Sequence, residues 1–243
     1  MILFEEISRP VIYEHDDVDF SYWGKGSSFV IASSSFYYWV TAFHVIENTG
    51  GNINTLRIFP SDNSQISLPF DEKYIVNRKI DGREDFDDIF ILRLNLHEFD
   101  ESGDAPLVAY DINSNWLDTE QLASGDELCV IGYPSESNFI DYDNRKICST
   151  RSVLRAIYKG KSTSENCHEL IFSTSINLND YDGLSGSPVF YIKQQRNSDS
   201  STNLPILAGM LIRGTVSSKV GHFISLRVIK DILSIVENTA DSC

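Results

Sequence analysis

Short apolar runs rich in Ile, Val, Phe, Tyr and Thr recur along the chain, separated by polar segments that contain Gly, Asn, Asp and Ser. β-Branched and aromatic residues favour strands, and a spacing of about ten residues between such runs is typical of β-sandwiches and β-barrels. The runs lie at residues 27–32, 36–42, 55–60, 65–70, 72–77, 89–94, 127–132, 147–158, 169–176, 187–192, 205–214 and 222–226. The pattern predicts an all-β fold.

A polar, turn-rich segment at residues 98–124 divides these runs into two groups of about six each. Two similar groups predict two packed antiparallel β-barrels, and the cleft between them is the natural place for a binding or catalytic site. The predicted organisation is an N-terminal extension (1–23), a first barrel (24–110), a connector (111–124), a second barrel (125–226) and a C-terminal helix and tail (227–243).

Two regions depart from the strand pattern. Near the C-terminus, apolar residues recur at helical spacing on one face, and they are Val228, Ile229, Ile232, Leu233 and Val236. This periodicity predicts one amphipathic helix as the last element. Residues 193–203 are polar and small, which predicts an exposed hairpin loop or a partly disordered segment.

Composition and charge narrow the functional classes. Hydrophobic residues make up 42% of the 243 residues and charged residues 23%, which is typical of a globular protein. The 20 basic and 35 acidic residues give a net charge of −15, so the surface repels phosphate backbones and anionic lipids. We therefore expect no nucleic-acid and no membrane partner.

The sequence also favours a cytoplasmic protein without a metal or cofactor. We find no run of about 18 apolar residues that could span a membrane, and the opening MILFEE differs from a secretory signal. The cysteines, Cys129, Cys148, Cys167 and Cys243, lie far apart without the spacing of a zinc site. Cys129 lies in an apolar run and is interpreted as a buried hydrophobic residue.

The strongest local motif is Gly183-Leu184-Ser185-Gly186-Ser187-Pro188, which directly precedes a predicted strand. Two glycines around a serine allow a tight turn that exposes the hydroxyl group. In such a turn the N–H groups of Gly183 and Ser185 can form an oxyanion hole. An ordinary Gly/Ser/Pro loop has the same composition, so the motif needs partners elsewhere in the chain.

A serine nucleophile needs a base and an orienting carboxylate. Among the five histidines, His44 alone follows a strongly β-type segment, at the point where the strand gives way to a turn. Asp88 directly precedes the apolar run 89–94, so its side chain is expected to be held close to protein. Asp85 and Asp87 are interpreted as residues of a solvated turn.

These residues lie in segments that together resemble the trypsin/chymotrypsin superfamily of serine proteases, in particular its bacterial trypsin-like branch. The matching segments, in the order of the family, are Gly26-Ser27-Ser28-Phe29-Val30, Val40-Thr41-Ala42-Phe43-His44-Val45, Asp88-Ile89-Phe90-Ile91-Leu92 and Gly183 to Pro188. Residues 129–134 resemble the strand that opens the second barrel. The resemblance covers most of residues 24–238 and implies a chymotrypsin-like fold with His44, Asp88 and Ser185 as the catalytic triad.

The resemblance also implies a substrate pocket in the second barrel. Ala208 to Gly214 resembles the strand that pairs with a substrate and walls the specificity pocket, and residues 221–223 resemble the next pocket strand. The implied pocket residues are Asn179, Asp180, Ile212, Arg213, Gly214, Gly221 and His222. Gly214 and Gly221 would leave the pocket walls open. An acidic base would favour Lys or Arg in the substrate, whereas inward-facing Arg213 and His222 would favour acidic or polar side chains.

Three residues differ from the family pattern. Leu184 replaces an aspartate that in many members pairs with a newly cut N-terminus, so activation by N-terminal cleavage is not expected. Phe43 and Phe90 replace small alanines near the histidine and the aspartate. Overpacking of this kind can cost about 1–3 kcal/mol, so the two rings either compensate each other or displace the triad.

The sequence therefore favours a serine endopeptidase that acts on a protein or peptide substrate through an acyl-enzyme. A regulatory protein partner or a signal is expected to control it in the cytosol. A catalytically silent protease fold that binds peptides or proteins is the alternative. An α/β-hydrolase is excluded because that fold has the order Ser, Asp, His on alternating strands and helices.

Overall fold

The computed structural model describes residues 4–14, 22–48, 52–61, 64, 66–76, 85–99, 106–141, 143, 146–173, 178–197 and 200–240. Within this part of the chain, seven strands form the first sheet: β1 (Ser8–Glu14), β2 (Tyr22–Ser33), β3 (Phe36–Thr41), β4 (Leu56–Arg57), β5 (Phe70–Ile75), β6 (Phe90–Leu94) and β7 (Tyr110–Asp111). The strand order is β4-β1-β2-β3-β6-β5, and β7 pairs in parallel with β2.

The second half of the chain forms a closed barrel. The remaining strands are β8 (Glu127–Gly132), β9 (Asn138–Asp141), β10 (Lys146–Ser149), β11 (Ser152–Lys161), β12 (Cys167–Phe172), β13 (Pro188–Asn197), β14 (Ser200–Thr215) and β15 (Val220–Ser225). The barrel order is β11-β12-β15-β14-β13-β8, whereas β9 and β10 form a separate two-stranded hairpin. Helix α1 (Phe43–Glu47) follows β3, and helix α2 (Leu226–Ala240) follows β15.

Buried apolar side chains of the strands build two cores. One core fills the first sheet and extends into the contact with the barrel, where Phe190, Met210 and Ile224 pack with residues of the sheet. The other core fills the barrel interior around Leu184 and Phe223, both 0% exposed. The shared core fixes how the two halves of the molecule meet, and the cleft lies along this junction.

Helix α2 is the last element of the chain order and confirms the predicted amphipathic helix. Leu226, Ile229 and Leu233 are buried against the larger core. Toward the end of α2, Glu237 accepts hydrogen bonds from the Ser34 and Tyr38 hydroxyls at 2.8 and 3.0 Å. Within the described ranges, α2 and the other helices are all too short or too polar to span a membrane.

The mostly β architecture confirms the predicted fold class, with three local differences. Strand β1 lies in the segment that the sequence assigned to an N-terminal extension, where it pairs with β2 and β4. The first sheet is open among the described residues, and the predicted run 147–158 spans two strands, β10 and β11. The other domain boundaries stay predictions.

The polar segment 193–203 is more regular than its composition indicated. The β13–β14 ladder continues from Lys193 opposite Leu204 to Asn197 opposite Ser200. The backbones of β13 and β14 stay paired over this segment, although its residue types favour a loop. Residues 65, 77 and 174–176, at the ends of three predicted runs, lie outside the described residues, as do His15, residues 198–199 and Cys243.

Candidate active site

Pairing between β3 and β6 brings His44 next to Asp88. Thr41, at the end of β3, lies opposite Phe90, at the start of β6, so the residues just beyond these ends are neighbours. His44 Nδ1 lies 2.6 Å from Asp88 Oδ2, and the backbone N–H of His44 donates to Asp88 Oδ1 at 2.8 Å. Because a carboxylate can only accept, Nδ1 carries the proton and Nε2 of the neutral ring is left as the basic nitrogen.

Two aromatic rings pack beside this pair instead of disrupting it. The Phe43 and Phe90 ring centroids are 6.2 Å apart, and Phe90 also makes an edge contact with Trp39 at 6.4 Å. The two large residues that replace small ones are therefore neighbours that share one space. Of the two outcomes considered for this overpacking, mutual compensation fits the close contact between His44 and Asp88.

The loop that carries Ser185 is held by glycine geometry and by a buried leucine. Gly183 and Gly186 have φ angles of +86° and +88°, in the left-handed region that side chains rarely adopt. A Cβ at Gly186 would collide with the Ser27 carbonyl oxygen and the Thr41 hydroxyl. Leu184 is 0% exposed and packs in the barrel core, so apolar burial anchors the residue before the serine.

Ser27 of β2 ties the first sheet to this loop. Its N–H donates to the Ser185 carbonyl at 2.9 Å, and its hydroxyl donates to the Gly183 carbonyl at 2.6 Å. The same hydroxyl accepts the N–H of Tyr133 at 2.8 Å, and the Ser27 carbonyl accepts the Thr41 hydroxyl at 2.7 Å. Ser27 is 0% exposed. One buried serine thus couples the strand before His44 to the loop around Ser185.

Backbone N–H groups in the serine loop divide into two sets. Leu184, Gly186 and Ser187 donate to the carbonyls of Tyr181, Leu211 and Leu184, at 3.2, 2.7 and 3.0 Å respectively. The N–H groups of Gly183 and Ser185 have no acceptor among the described residues. These are the two donors that the sequence assigned to an oxyanion hole.

The Ser185 hydroxyl donates to the carbonyl oxygen of Ile212 at 2.9 Å. A hydroxyl group has one proton, so this proton points at the main chain of β14 and not at His44. Transfer of the proton to His44 requires a rotation of the hydroxyl group about the Cβ–Oγ bond of Ser185. Such rotations take picoseconds to nanoseconds at exposed sites.

His44, Asp88 and Ser185 line one open cleft of about 880 Å³. Its lining comes from three parts of the chain: residues between 44 and 88, residues 179–182 with Ser185, and residues 212–217. Besides Asp88, the acidic residues that line the cleft are Asp85, Asp87, Asp180 and Asp182. Arg213 and His44 are its basic residues, so negative charge predominates.

Arg213 forms an ion pair with Asp85 that links the two halves across the cleft. The Arg213 guanidinium contacts both carboxylate oxygens, with Nη2 2.7 Å from Oδ2. This contact, in spite of partial burial, holds the pKa of the Asp85 carboxyl below its usual range. Asp85 is mostly buried, with a 13% exposed side chain, and Asp87 is 6% exposed. Neither fits the solvated turn expected from the sequence.

The predicted pocket residues divide into two groups. Ile212, Arg213, Gly214, Asn179 and Asp180 line the cleft, whereas Gly221 and His222 are not among its lining residues. Asn179 is held by the exposed Glu136, which accepts hydrogen bonds from its backbone and from its side-chain amide.

The last two predicted pocket residues lie within the barrel wall. A Cβ at Gly221 would touch the side chains of Leu170, Leu211 and Phe172, so this position faces the barrel core. His222 lies opposite Arg213 on the neighbouring strand, and burial followed by the charge of Arg213 lowers its pKa. The role of each predicted pocket residue stays a prediction.

Sequence reasoning missed three residues that shape the site. Ser27 was noted only as part of a family-like strand, Asp85 was assigned to a turn, and Tyr181 was not considered. Tyr181 lines the cleft and packs its ring against Phe172 at a centroid distance of 4.6 Å. The presence of an aromatic residue two positions before the first loop glycine was the available signal for Tyr181.

The cysteines of the described part of the chain are unpaired by disulfides. Cys129, Cys148 and Cys167 are free thiols, and burial raises the pKa of Cys129 and Cys167 to about 12. Cys129 is 4% exposed, as predicted for a buried hydrophobic residue. No cluster of three or more His, Cys, Asp or Glu side chains suited to a metal ion occurs in the described part of the chain.

Comparison with known families identifies the class of protein. The trypsin-like peptidase domain matches residues 26–196, which is more than half of the chain. The chain therefore belongs to the trypsin-like peptidase family, as the motifs predicted. Human heparin binding protein has a similar structure, with a TM-score of 0.58 over 97% of this chain and 92% of that one, at 10% identity. That likeness supports the chymotrypsin-like fold. No curated protein matches the sequence.

Proposed function

We propose that this protein is a serine endopeptidase in which Ser185 is the nucleophile, His44 the general base and Asp88 the residue that orients His44. The observation that supports this proposal most directly is the double contact of Asp88 with the His44 ring and backbone. This contact lies in the cleft that Ser185 also lines. The family supports a protease-type function on independent grounds.

The proposed reaction uses each of these groups once in each half-reaction. Ser185 Oγ attacks the scissile carbonyl carbon while His44 Nε2 takes the hydroxyl proton, and Asp88 stabilises the resulting imidazolium. The N–H groups of Gly183 and Ser185 donate to the carbonyl oxygen as it becomes negatively charged. His44 then protonates the leaving amine, and water releases the acyl group by the reverse sequence of proton transfers.

The hydrogen bond from Ser185 to Ile212 does not prevent this chemistry. Its loss costs about 0.5–1.5 kcal/mol net, which lowers the rate by about tenfold at most. Protease-type acceleration is at least about a millionfold, so the rotation is a minor part of the barrier. Approach of a substrate carbonyl to Gly183 and Ser185 would favour the rotated hydroxyl.

The proposed chemistry is tested with a fluorophosphonate probe and mass spectrometry of the labelled peptide. We expect an adduct on Ser185 in the wild type, none in Ser185→Ala, and labelling slowed by about 1000-fold in His44→Ala. Ser234→Ala, which removes an exposed serine of α2, is the matched control and should react like the wild type. Labelling of Ser185→Ala at the wild-type rate would refute the assignment of the nucleophile.

The proposal includes control by a protein partner or a signal in a cytoplasmic setting. Leu184 cannot form the ion pair of N-terminal activation and is buried instead, so another form of control is needed. The exposed Arg213 guanidinium, paired with Asp85 across the cleft, is the contact that a partner could release. Release would widen the cleft beside His44 and Ser185.

Labelling rates in lysate and in purified protein test this control. We expect faster labelling in lysate than in purified protein. Arg213→Ala should raise the labelling rate of the purified protein toward the rate in lysate. High salt should act in the same direction, because it weakens exposed ion pairs. Equal and complete labelling of the wild type in lysate and in purified form would contradict the proposed control.

A catalytically silent binding module is the second candidate. The observation that favours it is the Ser185 hydroxyl proton, which points at Ile212 and not at His44. If the cleft only binds peptides, Ser185→Ala should change neither the binding nor the length of any captured peptide. Adduct formation on Ser185 that depends on His44 would exclude this candidate.

A further inference from the structure

The ring of Tyr181 covers the position of Gly214. A Cβ placed on Gly214 would lie 2.8 Å from Tyr181 Cδ2 and 3.6 Å from its Cγ. Real Cβ atoms do not approach other atoms as closely as 2.8 Å, so only a glycine allows the ring to lie here. On another side the ring packs on Phe172, with an interplanar angle of 56°. Partial burial by these neighbours raises the pKa of the Tyr181 hydroxyl.

Tyr181 belongs to one of two segments that line the cleft together with Ser185. Residues 179–182 precede the serine loop, and residues 212–217 form the second segment. The Ser185 hydroxyl contacts Ile212, at the beginning of the second segment. An acyl group attached to Ser185 Oγ therefore begins next to Ile212, two positions before Gly214, in the cleft that Tyr181 and Gly214 also line.

Gly221, the second glycine of the expected pocket, also has no free space beside its Cα atom. A Cβ at Gly221 would lie 2.8 Å from Leu170 Cδ1 and 3.1 Å from Leu211 Cδ1 and Phe172 Cε2. Leu170, Leu211 and Phe172 are all buried members of the barrel core. Both glycines are thus contacted by side chains of this protein, one by Tyr181 and the other by the barrel core.

We infer that Tyr181 determines substrate specificity by filling the space for the side chain that precedes the scissile bond, so that the enzyme selects small residues such as Gly or Ala there. This inference rests on the proposed function of Ser185. The cleft as a whole has a volume of about 880 Å³, and Asn48 and Ser217 also line it. Selectivity therefore comes from one aromatic ring.

Two peptidyl diphenyl phosphonates that differ in one side chain test the inference. One carries a methyl group and the other a benzyl group at the carbon next to phosphorus. In both, Ser185 Oγ forms a bond to phosphorus and displaces phenoxide, which leaves as phenol with the hydroxyl proton. We expect the wild type to react with the methyl probe at least about tenfold faster. Tyr181→Ala should raise the benzyl rate at least about tenfold.

Two further variants separate a specific role of the ring from general damage. Tyr181→Phe keeps the ring and should keep the preference for the methyl probe. Gly214→Ala should move the ring and shift the preference in the same direction as Tyr181→Ala. A fluorophosphonate without a peptide side chain is measured on every variant, and each phosphonate rate is divided by the fluorophosphonate rate of the same variant, so that a general loss of Ser185 reactivity cancels.

The outcomes distinguish this inference from the proposed function. If the fluorophosphonate labels Ser185 while the two phosphonates react equally fast with the wild type, the inference is overturned and the proposed function stands. The inference is also overturned if Tyr181→Ala leaves the ratio of the two rates unchanged. If no probe labels Ser185 in any variant, the proposed function fails and the inference fails with it.

Discussion

Replacement of Ser27 by alanine should weaken both the fold and the reactivity of Ser185. The change removes one hydroxyl that serves two buried main-chain groups, the Gly183 carbonyl and the Tyr133 N–H. A buried group left without a partner costs about 1–3 kcal/mol, so the expected loss of stability is about 2–6 kcal/mol. For a chain of this size that corresponds to a Tm decrease of about 4 °C or more.

The effect on reactivity follows from the position of Gly183. Its N–H group is one of the two proposed oxyanion donors, and its carbonyl is held by Ser27. Removal of such a donor costs about 100- to 1000-fold, so a displaced Gly183 should slow labelling of Ser185 at least about tenfold. Labelling is measured with a fluorophosphonate well below the Tm of the variant, where the protein is fully folded.

Ser28→Ala provides the matched control for this prediction. Ser28 is the next residue of β2, is also 0% exposed, and donates to the Arg9 carbonyl at 2.9 Å, away from the serine loop. Its replacement should lower the Tm but leave the labelling rate within about threefold of the wild type. Equal labelling by folded Ser27→Ala and Ser28→Ala would refute the coupling of Ser27 to the active-site loop.

Two pH-dependent predictions follow from the structure. Arg213 lowers the pKa of Asp85, so their pairing stabilises the fold above the unfolded pKa of about 3.9 and is lost as the pH falls through the lower folded value. The difference in urea stability between wild type and Arg213→Ala should therefore disappear in acid, and a constant difference would contradict it. Burial lowers the pKa of His168 to about 4, so protonation favours the unfolded chain as the pH falls from about 6.5. His168→Gln, which keeps a hydrogen-bonding group beside the Tyr158 hydroxyl, should remove up to about 3 kcal/mol of this loss, and parallel pH curves for the two proteins would refute the prediction.

The residues with the proposed chemistry could be predicted because their motifs are local. The glycines around Ser185 define the turn by their own conformational freedom, and His44 and Asp88 each adjoin a strand whose apolar run is visible in the sequence. Strand β1 was missed because Pro10 interrupts its apolar pattern, and the pairing of β1 with β2 has a register shift just after it.

Contacts between distant residues could not be predicted from local patterns. Ser27 and Gly183 are separated by 156 positions, and Asp85 and Arg213 by 128. A buried serine and a paired aspartate have the same local sequence signals as exposed ones, because the partner that stabilises them comes from the other half of the molecule. Tyr181 likewise lies close to a residue distant in the sequence, Gly214, whose position the sequence indicated to be open.

Cleavage-site profiling with a diverse peptide library tests the central claim most directly. The wild type, Ser185→Ala and Arg213→Ala are compared as purified proteins and in lysate, and new termini are identified by mass spectrometry. We expect new termini with the wild type and with Arg213→Ala, none above background with Ser185→Ala, and small residues before the cleaved bond. Identical profiles for all three proteins in both settings would contradict the assignment of this protein as a serine endopeptidase.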